Sequence, residues 1–240
     1  MLKKIFSFAL LAAVMFSAVS CSDDNNDPTG PVIPDDAIYD IVTLVSTNAT
    51  TSTFAAQKSE NSPEVQYVCG VSLINYKELK PGTRLLIAYK MQNGAAPYTP
   101  GAITLYGFST MSNTEASVLT GTSEQYNGWD TEPLKMTSMW LTGIYLNIDA
   151  EMFASTSARP TSYILVADES TLDKPVVETH LILKSNNSDG GNLARLYASF
   201  NIQDLFAIST CKTIRVNYKD ISGYTYKDIN NPTETERPLD

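Results

Sequence analysis

The sequence predicts an all-β chain: a small OB-type barrel followed by an antiparallel β-sandwich. Three observations carry this. From Ile38 onward the apolar residues fall in short alternating runs rich in Val, Ile, Thr and Tyr, which is the period-2 pattern of strands. No long window shows the 3.6-residue period of an amphipathic helix. Turn-forming Gly, Pro, Asn and Asp separate the runs at short intervals,.

The N-terminus reads as an export signal over residues 1–20, with Lys3 and Lys4, an apolar run from Ile5 to Val19, and small residues Ala18 and Ser20 before Cys21,. At 1.5 Å rise per residue the run would cover only about 22 Å as a helix, short of a hydrocarbon core of roughly 30 Å. Ala18-Val19-Ser20-Cys21 resembles the lipobox of bacterial lipoproteins, with Ala18 where Leu is usual. The resemblance implies lipidation of Cys21 and membrane attachment through it, two or three acyl chains being enough for stable anchoring. Residues 21–37 are acidic and proline-containing, the composition of a disordered tether. The cluster Asp23, Asp24 and Asp27 also resembles the surface-export signal of lipoproteins from Bacteroidetes. The expected address is therefore the outer membrane, facing outward.

The barrel is expected over residues 38–115, from runs at 38–46, 51–57, 65–74, 84–91 and 102–111,. Pro81-Gly82 marks a tight turn before the fourth run. Residues 116–133, polar and carrying Gly121, Gly128 and Pro133, read as a connector. The sandwich is expected over 134–230, with strands at 134–142, 144–152, 161–167, 176–184, 193–201 and 212–218 and a hairpin turn at Asp189-Gly190,. In 144–152, Ile144, Leu146, Ile148, Ala150 and Met152 form one face and Tyr145, Asn147, Asp149 and Glu151 the other. That alternation predicts one buried and one wet face. Residues 231–240 are expected to fray.

Pro81-Gly82-Thr83-Arg84-Leu85-Leu86-Ile87-Ala88-Tyr89, Met139-Trp140-Leu141-Thr142-Gly143-Ile144-Tyr145-Leu146-Asn147-Ile148, Thr179-His180-Leu181-Ile182-Leu183 and Ser199-Phe200-Asn201-Ile202 follow one another in an order that resembles the NigD-like lipoproteins of Bacteroidetes. The resemblance covers essentially the whole mature chain and implies a lipobox, an N-terminal OB domain and a C-terminal β-sandwich. Its motifs are strand patterns without chemistry. The family name implies an association with bacteriocin production.

Charge and composition narrow the functional classes. The chain carries a net charge of −9; removal of residues 1–20 takes away Lys3 and Lys4 and no acid, leaving −11. No Lys/Arg stripe exists outside the signal, which excludes nucleic acid as a partner. Cys69 and Cys211 are expected to be two inert thiols, since Cys69 shares an apolar strand face whereas Cys211 shares a face with Thr213, Arg215 and Asn217,.

No catalytic constellation, metal site or cofactor motif is expected. The single histidine, His180, reads as a half-exposed structural residue,. Asp149 and Glu151, two residues apart on one strand face, are the nearest approach to a glycosidase pair and read better as a solvated face. Asn186 to Asn192 has oxygen ligands but one carboxylate, so it reads as a loop and not as a calcium site,. Trp140 reads as core. The best ligand-binding candidates are Tyr126, Trp129 and Asp130, with Tyr98 from the barrel, because amphipathic rings beside amides and carboxylates suit sugars or a protein partner. The competing reading of Trp129 is that it packs the two domains together. The expected function is a non-enzymatic binding or structural role on the envelope surface; the alternatives are a glycan-binding or glycan-hydrolysing lipoprotein and a factor associated with bacteriocin production.

Overall fold

A computed structural model describes residues 17–18, 33–59, 62–77, 79–111, 118–154, 162–184 and 192–232. Cys21, nearly all of the signal and tether, the Asp189-Gly190 turn and residues 233–240 lie outside the described residues. Among the described residues, no helix is long and apolar enough to cross a membrane.

The first unit is a closed five-stranded barrel. Strands β2 (Ile38–Thr47), β3 (Ser52–Ala56), β4 (Val65–Cys69), β5 (Arg84–Met91) and β6 (Gly101–Thr110) run in the order β6-β4-β3-β2-β5, and β5 pairs with β6 to close the ring. A two-residue strand, β1 (Ser17–Ala18), pairs with Phe108 and Gly107 on β6. Irregularities at Leu44/Ser46 and Ala88/Tyr89 supply the bends that closure of so few strands requires. Val42, Leu44, Phe54, Tyr67, Leu85, Ile87 and Phe108 fill the interior. The Pro81-Gly82 turn forms with Gly82 at φ +93. The run expected to continue to residue 74 leaves the ladder after Cys69, because the Leu73 N–H is taken by the Thr47 and Ser52 hydroxyls while its side chain stays in the core.

The second unit is an eight-stranded sheet curled into a sandwich. One layer holds β8 (Leu134–Thr142), β9 (Tyr145–Ala154) and β12 (Asn192–Asn201), all antiparallel. The other holds β7 (Leu119–Gly121), β10 (Ser162–Asp168), β11 (Val176–Lys184), β13 (Thr213–Asp220) and β14 (Gly223–Asn230). The layers meet at a corner where Leu134 of β8 pairs with Asp220 of β13. Most pairings are antiparallel; β7 with β10, β11 with β13 and the corner pairing of β8 with β13 are parallel. The pairing of β11 with β13 follows from the route of the chain, which crosses from β12 to β13 through the short helix α1 (Gln203–Phe206), whose Leu205 and Phe206 plug the end of the core.

Four expectations are corrected here. Within the connector 116–133, for which no strand was expected, β7 extends the second sheet at its edge. β14 (Gly223–Asn230) is a strand beyond the last one expected, and Asn231, the first residue of the expected tail, is buried, its side-chain amide donating to the carbonyls of Phe206 and Cys211. Cys211 does not share the face of Thr213, Arg215 and Asn217: it lies in the turn before β13 and is buried in the sandwich core, while Cys69, on its apolar face as expected, is buried in the barrel core. The supposedly wet face of β9 is half covered by the barrel, with Asn147 and Asp149 buried.

That cover is fastened by Arg84. Fully buried at the start of β5, its guanidinium donates to the Thr43 hydroxyl (2.8 Å) and to Asn147 Oδ1 and the Ser199 hydroxyl across the junction, and lies 5.0 Å from the ring centre of Tyr145. Ile41, Leu86 and Met111 of the barrel pack against Trp140 and Tyr197 of the sandwich. Trp140 is therefore a junction residue; its strand neighbours Met139 and Leu141 are the ones packed in the sandwich core.

Candidate functional site

Residues 122–133 form a strap from β7 across the outer face of β10 and β11. It is held at its far end by Thr131 and Glu132, which bond the Leu183 amide and carbonyl. Its middle is a tight turn in which Ser123 O accepts from the amides of Tyr126 and Gly128. Asn127, Gly128 and Trp129 stand at φ +50, +70 and +63 in succession. Gly takes this left-handed region freely and Asn tolerates it, but a bulky side chain there is an outlier costing about 1–3 kcal/mol.

The compensation is aromatic. The Trp129 ring lies parallel to the His180 imidazole at 4.0 Å between centroids, and Tyr126 stacks on Trp129 at 5.6 Å and 11°. Burial holds the imidazole below its usual pKa, so a neutral ring meets the indole. Val166 and Ile182 point outward beside His180 by register, yet are 0% and 2% exposed because the strap covers this face. Tyr126 sits over Gly121, where a Cβ would fall 2.5 Å from its Cε2. Trp129 thus packs within the sandwich and not between the two units. Asp130 is exposed just beyond the turn.

The stack continues sideways into polar groups that the sequence reading missed. Asn217 of β13 lies in register with His180, and Tyr226 of β14 with Asn217. In the adjacent row, Glu178, Arg215 and Asp228 are in register. Arg215 donates twice to Asp228 (2.7 and 2.9 Å), approaches Glu178 at 3.7 Å, and lies 4.1 Å from the Tyr226 ring centre. Asn217 donates to Glu178 at 2.8 Å. The guanidinium holds the Asp228 carboxyl below the usual carboxylate range. The signal available in the sequence was the alternation of Tyr224, Tyr226 and Asp228 after Gly223.

Tyr98 stands apart, in the loop at one end of the barrel. Its backbone is also left-handed, at φ +59; its amide donates to the Tyr67 hydroxyl at 2.9 Å, and its phenol, whose pKa is raised by burial and by the Asp40 charge, lies near Asp40. Asp40 is buried, and its Oδ2 has no partner within the protein. Burial pushes its pKa up to about 7, against the opposing Tyr98 hydrogen bond and the more distant Arg84 charge.

Asp149 and Glu151 do share a face, but each has its own cation from a neighbouring strand. Arg195 clasps Asp149 with two bonds of 2.9 and 2.7 Å, and Lys135 bonds Glu151 at 2.9 Å and holds its carboxyl below the usual range. A general acid needs the opposite shift.

A closed barrel joined to a curled β-sandwich, with an aromatic strap over the sandwich's outer sheet, defines a two-unit all-β protein. Residues 117–230 match the family model of the NigD-like C-terminal beta sandwich domain. Three crystal structures share the fold of both units. They are a protein of unknown function DUF1344 from Bacteroides vulgatus (16% identity, 84% of this chain and 94% of that one, TM-score 0.57), a putative toxin related protein from Parabacteroides distasonis (15%, 83% and 96%, 0.54) and a NigD-like immunity protein from Bacteroides caccae (16%, 84% and 96%, 0.52). At these identities the likeness is one of fold. No curated protein matches the chain.

Proposed function

We propose that this chain is a lipoprotein of the bacterial outer membrane, attached through Cys21 and displayed at the cell surface, with a non-enzymatic binding role. The observation that carries the anchoring is the run of small residues ending in Cys21 after a short apolar segment, followed by acids. The strap supports the binding role: strain at a bulky residue persists only where its surroundings enforce it, and such positions cluster at functional sites.

Radiolabelled palmitate tests the anchor. The wild-type chain takes up label and Cys21→Ala does not; equal labelling of both would remove the proposal. Protease added to intact cells should cleave the protein without lysis, and protection until lysis would reverse the outward placement. The glycan-hydrolysing alternative draws no support from Asp149 and Glu151, because both are tied up as charged partners of Arg195 and Lys135.

A further inference from the structure

We infer that the outer face of β11, β13 and β14, continuing the Trp129–His180 stack, is a platform for an uncharged polysaccharide. The inference rests on the binding role proposed above and names its site and ligand class.

Tyr224 and Tyr226 are 65% and 54% exposed on one side of β14. Two residues of strand separate them by about 6.6 Å, a spacing on the scale of successive pyranose rings. Neither ring is loose. The Arg215 guanidinium lies 4.1 Å from the centre of Tyr226 and is itself fixed by Asp228, while Lys219 Nζ lies 5.5 Å from the centre of Tyr224. Across the sheet the register carries Tyr226 to Asn217 and then to His180 beneath Trp129, a width of roughly 10 Å for three strands. The result is a flat strip of rings with an amide and carboxylate oxygens set between them. Sugar rings present apolar C–H faces to aromatic rings and hydroxyls at their edges, and this strip offers partners for both.

Charge selects the class of glycan. Arg215 is balanced by Asp228 and Glu178, and His180 is held toward its neutral form. The chain as a whole is acidic at −9, so a polyanion would be repelled. Glu and Asp are depleted in protein–protein patches, whereas here Glu178 and Asp228 stand among the rings.

The test is native affinity electrophoresis of the full-length chain in detergent, through gels containing laminarin, galactomannan or xyloglucan as neutral probes and polygalacturonate as the anionic one. At least one neutral probe should retard the chain. The Tyr224→Ala/Tyr226→Ala double variant should weaken that retardation at least tenfold with an unchanged urea unfolding curve, and Asp149→Asn should leave retardation intact. The inference is overturned if no neutral probe retards the chain, if polygalacturonate retards it equally, or if the double variant binds as the wild type does. Palmitate labelling at Cys21 is read independently, so failure of the anchor and failure of the platform are distinguishable.

Discussion

Asp40 shows how one buried group can set a pH dependence. Its folded pKa, pushed up to about 7, stands above the ordinary 3.8. Folding therefore favours the protonated carboxyl, and the stability this group contributes is fully present below pH 3.8 and lost as the pH rises toward 7. Three units at 1.36 kcal/mol each amount to about 4 kcal/mol. Asp40→Asn, which cannot ionise, should raise the urea midpoint at pH 8 relative to wild type, with the gain fading by pH 4; an equal effect at both pH values would contradict the assignment. The groups facing Asp40 are Tyr98, Arg84 and the Tyr67 and Tyr89 phenols, whose pKa values its charge helps to raise. Nothing in the local sequence distinguishes Asp40 from a solvated aspartate at the start of a strand. Its burial comes from a loop more than fifty positions later.

The strap is the element whose fit is tightest. A methyl group at Gly121 would fall 2.5 Å from the Tyr126 ring and 2.6 Å from the Gln125 side chain. The Gln side chain can swing away, but the ring is held against Trp129. Gly121→Ala should accordingly cost about 1–3 kcal/mol and shift the tryptophan emission as Trp129 leaves His180; an unchanged spectrum and midpoint would show the strap to be pliable. The strands themselves were legible in the sequence. β5 and β8 begin and end where the alternation places them, at 84–91 and 134–142, because their apolar residues face a packed core. β14 was not legible, since an edge strand with Ile229 as its one buried residue carries almost no hydrophobic pattern. β7, three residues long, is fixed by its pairing with β10. Of the site, the rings of Tyr126 and Trp129 could be picked out as types, but not the imidazole and the tyrosines that surround them.

For the whole molecule, the coupling of the two units depends on Arg84. Removing it leaves Asn147 and Ser199 buried without their donor and takes away the link across the junction. Arg84→Ala should destabilise by about 3 kcal/mol, the scale for an interrupted buried polar network. It should also separate a single unfolding transition into two as the barrel and sandwich uncouple; one sharp transition at the wild-type midpoint would refute this role. The sequence by itself determined the all-β class, the two-unit order and most strand limits, because alternation and turn chemistry act between neighbours along the chain. Only the tertiary structure decided that Trp129 lies on His180, that Arg84 bridges the units, that Asp149 is clasped by Arg195, and that Tyr98 faces Asp40. These contacts join residues far apart in sequence, and curling a sheet or closing a barrel brings together side chains whose meeting no local period encodes.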